Sequence, residues 1–393
     1  MTSVRWGFRG RVLWAGLVML AGCADAPPEP ETSTGGLSLV ETLGGADTVG
    51  YARADEPRTF VFPADHGPHA DFRTEWWYVT GNLSAEGGRD YGFQFTIFRS
   101  SLSPTATEAT SEWATNQAYM GHLALTDIAA ERFRAEERFA RGVPWLAGAA
   151  AEPFRVFLED WALEAERPED DAAPFPLRLS GEVDGARLDL TLEAGKPHVL
   201  QGEAGLSQKG PEPGNASYYY AHTRMPTRGW LVIEGDSVEV SGLSWLDREW
   251  STSALSPGQV GWDWFALQLD DGWEMMVYQI RREDGSADQL SDGVLIDPDG
   301  TRVPLVWGED VEVTPTARWA SPEDGAEYPA SWRIRVPERG WDLRVEPAVA
   351  DQELRFGFRY WEGSVRVTGS GEGSRAVNGR GYVELTGYAE FAR

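Results

Sequence analysis

Short runs of aromatic and β-branched residues, separated by polar turns that contain glycine, make up most of the chain after residue 57. Residues 75–83 and 91–99 are two such runs, and Gly87 and Gly88 lie between them. Two runs of this length around a glycine turn are typical of a β-hairpin. The pattern therefore predicts a hairpin near the start of the folded part.

The same arrangement recurs far downstream, where residues 264–269 and 273–281 flank an Asp-Asp-Gly turn. Both hairpins begin with an acid followed by aromatic residues, and both end at an arginine. Further hairpins are predicted in residues 177–192 and 332–345. Many short strands with regular turns indicate a sandwich or a barrel. We therefore predict an all-β fold of two related domains in tandem.

Helical patterns are scarce in this sequence. Residues 129–140 have a helical composition, but Phe133 and Phe139 do not form a helical stripe. This segment is interpreted either as a helix or as a long strand.

The N-terminal residues have the layout of an export signal, with three arginines before a short apolar run at residues 12–20. The sequence Leu-Ala-Gly-Cys at residues 20–23 resembles the lipobox of bacterial lipoproteins. That resemblance implies a signal peptide at residues 1–22 and a lipid anchor on Cys23, with an incidental cysteine as the alternative. It also implies a cell-envelope location, and Ala24 favours the outer membrane, facing the periplasm or the cell surface.

Residues 23–57 are rich in proline, glycine and polar residues, so they are predicted to form a disordered tether. Cys23 is the only cysteine of the chain, and no disulfide is expected. The net charge of −27 becomes −30 after removal of residues 1–22, which contain three arginines and no acid. Such a charge repels phosphate backbones, which argues against a nucleic-acid partner.

Carboxylates among indole rings are the main chemical feature of the chain. Asp247 lies between Trp245 and Trp250, and Glu249 is two residues further on. Residues two apart on a strand share a face, so Trp245, Asp247 and Glu249 are predicted to point the same way. A carboxylic acid in an apolar pocket keeps its proton and can act as a catalytic acid. The alternative is a structural pair of acids at a domain seam.

Other acids and histidines have simpler interpretations. Glu75 and Asp263 are predicted to be structural acids, because buried carboxylates are usually paired. His66 and His69 are more simply loop residues than metal ligands, and no metal or other cofactor is predicted. His122 is interpreted as a buried barrel residue. A serine-hydrolase triad is disfavoured, because no Gly-x-Ser-x-Gly motif is present.

Several motifs resemble the family of AttH and carotenoid 1,2-hydratase. They are residues 63–69 (PADHGPH), 75–83 (EWWYVTGNL), 218–220 (YYY), 242–250 (GLSWLDREW) and 379–388 (GRGYVELTGY). The resemblance covers residues 60–393 in the family's order. It implies two packed lipocalin-like β-barrels, here assigned to residues 58–250 and 251–393.

The resemblance also implies a role for Asp247, which occupies the position of the hydratase's catalytic aspartate. The surrounding residues depart from the hydratase pattern, since Trp245, Leu246 and Glu249 replace Tyr, His and Asn. His222 is the candidate for an upstream hydratase histidine. Some family members are associated with ABC transporters, so a transporter permease is a candidate partner.

Two functions are expected from these observations. The first is a lipid-anchored lipocalin-like protein that binds a hydrophobic, isoprenoid-like or lipid-like ligand and assists an ABC-transporter system. The alternative is a cofactor-free hydratase that adds water to an isoprenoid double bond through Asp247. The tyrosines of residues 218–220 form either a core strand or a wall of the ligand cavity. The candidate ligand-binding residues are Trp76, Trp77, Tyr78, Tyr219, Tyr220, Trp245, Trp250, Trp262 and Trp264.

Overall fold

The computed structural model describes residues 48–106, 110–167, 174–253 and 255–389. The predicted signal peptide and Cys23 lie outside the described residues. Across the described ranges, none of the helices has the length and apolar character needed to span a bilayer.

Two antiparallel sheets account for the fold. The first contains β1 (Thr74–Ala85), β2 (Asp90–Ser101), β3 (Gln117–Asp127), β4 (Arg132–Arg141), β5 (Ala147–Ala151), β6 (Phe154–Leu158), β7 (Trp161–Ala165), β8 (Leu177–Val183), β9 (Ala186–Leu192), β10 (Val199–Leu200), β11 (Leu206–Gln208), β12 (Ala216–Ile233) and β13 (Asp236–Ser251). The second contains β14 (Gln259–Leu269), β15 (Glu274–Arg282), β16 (Asp292–Ile296), β17 (Arg302–Val306), β18 (Glu312–Ala320), β19 (Glu327–Val336), β20 (Trp341–Pro347), β21 (Glu353–Arg355), β22 (Arg359–Ser370) and β23 (Ala376–Leu385). Short 3₁₀ helices occur at Ala64–His66, Pro337–Arg339 and Glu372–Ser374.

The two sheets follow a similar pattern of strand order, with eleven strands along the first and nine along the second. The first runs β4-β3-β2-β1-β13-β12-β9-β8-β7-β6-β5, and the second runs β17-β16-β15-β14-β23-β22-β20-β19-β18. In each sheet the first hairpin therefore lies beside the last strand of the same sheet. Each sheet curls around its own apolar core. The prediction of an all-β fold with two barrel-like domains is confirmed.

A third apolar cluster lies between the two barrels. It forms because both faces of the central strands are buried. In β1, Trp77 and Val79 point into the first barrel, whereas Tyr78 packs against Trp264 of the second barrel. The outer faces of the central strands therefore form the junction between the barrels.

The end of the predicted tether differs from the expectation of disorder, because residues 48–57 pack on the first barrel. Ala54 is fully buried, and the Tyr51 hydroxyl donates a hydrogen bond to the Ser101 carbonyl over 2.8 Å. The Ala52 carbonyl accepts a further hydrogen bond from Thr252, directly after β13. One buried alanine and these two long-range hydrogen bonds hold the segment on the barrel, although its composition is polar.

Most of the segment whose composition allowed a helix or a strand forms β4. Arg132–Arg141 pairs antiparallel with β3 along its whole length. Pairing with a buried neighbouring strand satisfies its backbone groups, and this outweighs the local helical preference.

Candidate active site between the barrels

An aromatic cavity of about 140 Å³ lies at the junction of the barrels. Its walls come from the central strands of both sheets, chiefly β1, β12 and β13 of the first and β14, β15 and β23 of the second. Asp247, Tyr78 and Trp264 are buried at its floor, whereas Trp76 and Trp262 are partly exposed at its rim. The cavity is therefore open at one side and closed by apolar rings at the other.

Asp247 is buried and faces this cavity. The Tyr219 hydroxyl donates a hydrogen bond to its Oδ2 over 2.7 Å, and the Trp245 indole N–H donates to its Oδ1 over 2.7 Å. No lysine, arginine or histidine of the described residues forms an ion pair with it. Burial raises the pKa of Asp247 to about 8, although the two hydrogen bonds oppose the rise. The carboxyl therefore keeps its proton at neutral pH.

Glu249 shares this face but has a different environment. The Ser217 hydroxyl donates a hydrogen bond to it, and the Lys209 ammonium lies 3.2 Å from its Oε1. Its negative charge adds to the rise in the pKa of Asp247. The strand alternation predicted from the sequence thus places two carboxyl groups at one cavity, one beside a cation and one without a cation.

Glu384 of β23 is a third acid at the cavity wall, and sequence reasoning did not single it out. It directly opposes Trp264 in the sheet register, just as Glu249 opposes Trp76 in the first sheet. Burial and the charge of Glu249 raise its pKa. The repeat of the two hairpins points to Glu384 only when each hairpin is paired with the last strand of its own sheet.

Most of the predicted aromatic residues meet at this cavity. Trp76, Tyr78, Tyr219, Trp262 and Trp264 line it. The ring centroids of Tyr78 and Trp264 are 5.3 Å apart in an edge-to-face arrangement.

Trp245 packs edge-to-face against Trp264 with a centroid distance of 6.3 Å. It holds Asp247 by its indole N–H and is absent from the cavity wall.

Three predicted ligand-binding residues do not reach this cavity. Trp77 points into the core of the first barrel, and Tyr220 and Trp250 belong to a separate cluster beside it. The reason is the strand period, because these residues are out of phase with Asp247 and Tyr219.

His222 is also directed away from Asp247. Its ring lies 6.1 Å from the rings of His66 and His198, and burial lowers its pKa to about 3. It is therefore neutral and does not join the acids of the cavity.

The two predicted structural acids are paired with arginines. Glu75 is fully buried and forms ion pairs with Arg99 and Arg248. Burial alone would raise its pKa, but the two guanidinium charges outweigh that effect and hold it far below its usual range.

Asp263 forms an ion pair with Arg281 at 2.9 Å and accepts a hydrogen bond from Tyr388 at 3.0 Å. It thus has the environment of a structural acid.

The two histidines of the loop before β1 pack against aromatic residues of the first sheet. His69 stacks on Trp250 at 3.7 Å and contacts Asp65 at 3.1 Å, while the His66 ring contacts the Tyr220 hydroxyl at 2.6 Å. Within the described ranges, no group of three or more histidine, cysteine or acidic side chains is arranged to hold a metal ion.

His122 lies at the junction, where its Nδ1 contacts the Tyr360 hydroxyl of the second barrel at 2.7 Å.

Comparison with known proteins supports the architecture. The model of the AttH-like family matches residues 53–388. The crystal structure of an AttH protein from Nitrosomonas europaea is 34% identical, covers 86% of this chain and 99% of that chain, and has a TM-score of 0.73. Kievitone hydratase from Nectria haematococca is 16% identical, covers 86% and 95% of the two chains, and has a TM-score of 0.63. This second likeness shows the fold alone. No curated protein matches the chain.

Proposed function

Because the chain belongs to the AttH-like family, we propose that its cavity works as a hydratase-type site, in which Asp247 protonates a double bond of an apolar ligand. One observation carries the proposal: a buried carboxyl without a cationic partner faces an aromatic cavity. A structural acid such as Glu75 has arginine partners instead. The name of the kievitone hydratase, which shares the fold, gives hydration as an activity of that protein.

The chemistry needs no cofactor. The π electrons of the alkene form a C–H bond with the proton of Asp247, which leaves a carboxylate and a carbocation. Aromatic faces such as those of Trp76 and Trp264 stabilise a cation held above them. A water molecule then forms the C–O bond and loses a proton, so the net change is addition of water. The raised pKa of Asp247 keeps it in the acidic form that this step requires.

The ligand class follows from the walls of the cavity. Aromatic side chains are the largest class of wall residues, which suits an isoprenoid or a similar lipid. The volume of about 140 Å³ is smaller than that of cavities that enclose a drug-sized ligand, which begin at roughly 300 Å³. The cavity therefore suits the reacting end of a longer chain, with the remainder lying past the rim at Trp76 and Trp262.

A carrier that binds the ligand without reacting is the second candidate. It is favoured by the lipobox-like residues 20–23 and by the departure of Trp245 and Leu246 from the hydratase pattern. In either case we propose that Cys23 anchors the protein to the outer membrane, facing the periplasm or the cell surface. A permease of an ABC transporter is the proposed partner of the carrier form.

The test uses lycopene, an acyclic carotenoid, as the probe. The purified protein is incubated with lycopene in water labelled with oxygen-18, and the extracted products are analysed by mass spectrometry. We expect a labelled tertiary alcohol from the wild type and none from the Asp247→Asn variant. Binding of lycopene by the wild type without any alcohol would instead favour the carrier.

A further inference from the structure

A second pair of acids has one member, Glu384, in the cavity wall and the other, Glu362, outside it. Glu362 of β22 and Glu384 of β23 are direct partners in the antiparallel register. Side chains opposite each other in such a pair have Cβ atoms about 5 Å apart. Glu362 is only 1% exposed, and no ion pair reaches either carboxyl within the described residues. Two carboxylates in this position cannot both ionise without a large repulsion, so they share a proton.

The polar atoms around Glu362 are incompletely satisfied. Within the described residues, both of its carboxyl oxygens and the Tyr78 hydroxyl lack a hydrogen bond of ordinary geometry. The Tyr78 and Tyr360 hydroxyls nevertheless lie close enough to lower its pKa, while burial and the charge of Glu384 raise it well above its usual range. A buried polar atom without a hydrogen bond costs free energy, unless a water molecule or a transferable proton supplies the missing bond.

Tyr78 connects this pair with the catalytic acid. In the register of β1 and β13, Tyr78 is the direct partner of Asp247. Its hydroxyl is close to Glu362. Burial is the main reason that the pKa of this hydroxyl is raised, and the charges of Glu362 and Asp247 raise it further. Tyr78 and Glu384 also line the cavity, so both can meet a bound ligand or its water.

We propose that Glu384 accepts the proton of the attacking water and that Glu362 and Tyr78 return it to Asp247. This inference rests on the proposed hydratase function. As the water forms the C–O bond, its O–H bond breaks, the electron pair stays on oxygen, and the proton passes to Glu384. Glu362 then gives a proton to the Tyr78 oxygen, the Tyr78 hydroxyl gives its own to a water molecule in the cavity, and that water gives a proton to Asp247. Glu384 passes the proton it received to Glu362, so every protein group is as it began and the net reaction is addition of water to the alkene.

The first arm of the test counts protons without any ligand. Infrared spectroscopy resolves the C=O stretch of protonated carboxyl groups at pH 7. The Glu362→Gln/Glu384→Gln double variant should lose the band area of one carboxyl, equal to the loss seen in Asp247→Asn. A loss of none, or of two, would overturn the shared proton. Glu327→Gln, an exposed acid of the second barrel, serves as the control and should lose nothing.

The second arm follows turnover of lycopene. Tyr78→Phe should keep the wild-type Kd for lycopene and lower kcat at least tenfold, because the return path is cut. Tyr91→Phe is the matched control, since the Tyr91 hydroxyl is also buried without a hydrogen-bond partner in the described residues. Wild-type kcat in Tyr78→Phe would refute the return path and leave direct transfer from water to Asp247.

The two experiments distinguish a failure of this inference from a failure of the proposed function. A wild type that converts no lycopene refutes the proposed function whatever the band areas show, and the acids would then be a shared-proton site without a catalytic role. Conversion that survives in the Glu362→Gln/Glu384→Gln variant but fails in Asp247→Asn refutes the inference and keeps the proposed function.

Discussion

Asp247 and Arg248 are adjacent in the chain and face opposite sides of one sheet. Arg248 points toward the first barrel, where it binds Glu75 and lies 4.0 Å above the Trp77 ring. Asp247 points into the junction cavity and has no cation beside it. The neighbouring arginine is therefore already engaged, and it leaves the aspartate in its protonated form.

The first prediction concerns the pH dependence of stability in Asp247→Asn. The pKa of Asp247 is about 8 in the folded protein and near its ordinary value of 3.8 in the unfolded chain. Between these values the folded state binds the extra proton, so the wild type loses stability as the pH rises. The Asn variant escapes this loss. Its stability relative to wild type should rise between pH 4 and 8, by at most about 1.4 kcal/mol per pH unit.

Urea unfolding of both proteins at several pH values measures this difference. Asp189→Asn is the control, because Asp189 is paired with Arg178, which lowers the pKa of its carboxyl. The stability of this variant relative to wild type should stay nearly constant between pH 4 and 8, since Asp189 is largely ionised in both the folded and the unfolded state there. A flat difference between Asp247→Asn and wild type would show that Asp247 is ionised in the folded protein.

The second prediction concerns Tyr219, whose hydrogen bond lowers the pKa of Asp247. Tyr219→Phe should move that pKa further upward. Infrared titration of the protonated carboxyl band would show the shift, and Tyr91→Phe should leave the band in place. A downward shift in Tyr219→Phe would mean that the hydroxyl stabilises the protonated form.

The third prediction concerns the buried ion pairs of Glu75. Arg248→Met should destabilise the protein by about 3–5 kcal/mol, because it leaves a buried carboxylate with less compensating charge. Arg333→Met removes an exposed ion pair with Asp342 and should lower the stability far less, because solvent screens that pair. Urea unfolding compares the two variants, and equal losses would contradict the structural role of Arg248.

The fourth prediction concerns the rim of the cavity. Trp76→Ala should weaken lycopene binding by about 1–3 kcal/mol, because the ring forms part of the apolar wall. Trp230→Ala removes an indole that is 50% exposed and far from the wall residues in the register, so its Kd should be unchanged. Tryptophan fluorescence quenching provides the measurement. Unchanged binding in Trp76→Ala would place the ligand elsewhere.

The fifth prediction concerns the proposed lipid anchor. Cys23→Ser should release the protein from the membrane fraction, because the only thiol of the chain is lost. Fractionation of cells before and after a salt wash would show the release. A variant that stays with washed membranes would contradict the lipoprotein interpretation.

The sequence predicted the all-β fold and one face of the candidate site. The glycine turns located the hairpins, and the strand period placed Asp247 and Glu249 on one face. It could not decide which aromatic residues share that face with a ligand. Both faces of β1 and β13 are buried, one in a barrel and one in the junction, so large aromatic residues occur on both faces and the alternation does not show which face meets the ligand.

Glu362 and Glu384 could not be assigned to the site from local pattern. They reach the neighbourhood of Asp247 only because the two sheets pack together, and no short-range periodicity in the sequence indicates that packing. The register match between Glu249 and Glu384 becomes visible only after both sheets have been paired strand by strand.

The position of the cavity outside both barrels has a consequence for how such proteins can diverge. In a single barrel that holds its ligand inside, a larger ligand requires a wider barrel and a rebuilt core. Here the side chains of each barrel fill its own core, and the cavity lies between the two barrels. A small change in the angle between the barrels would change the size of the cavity, so new ligands could be accepted while both cores keep their packing.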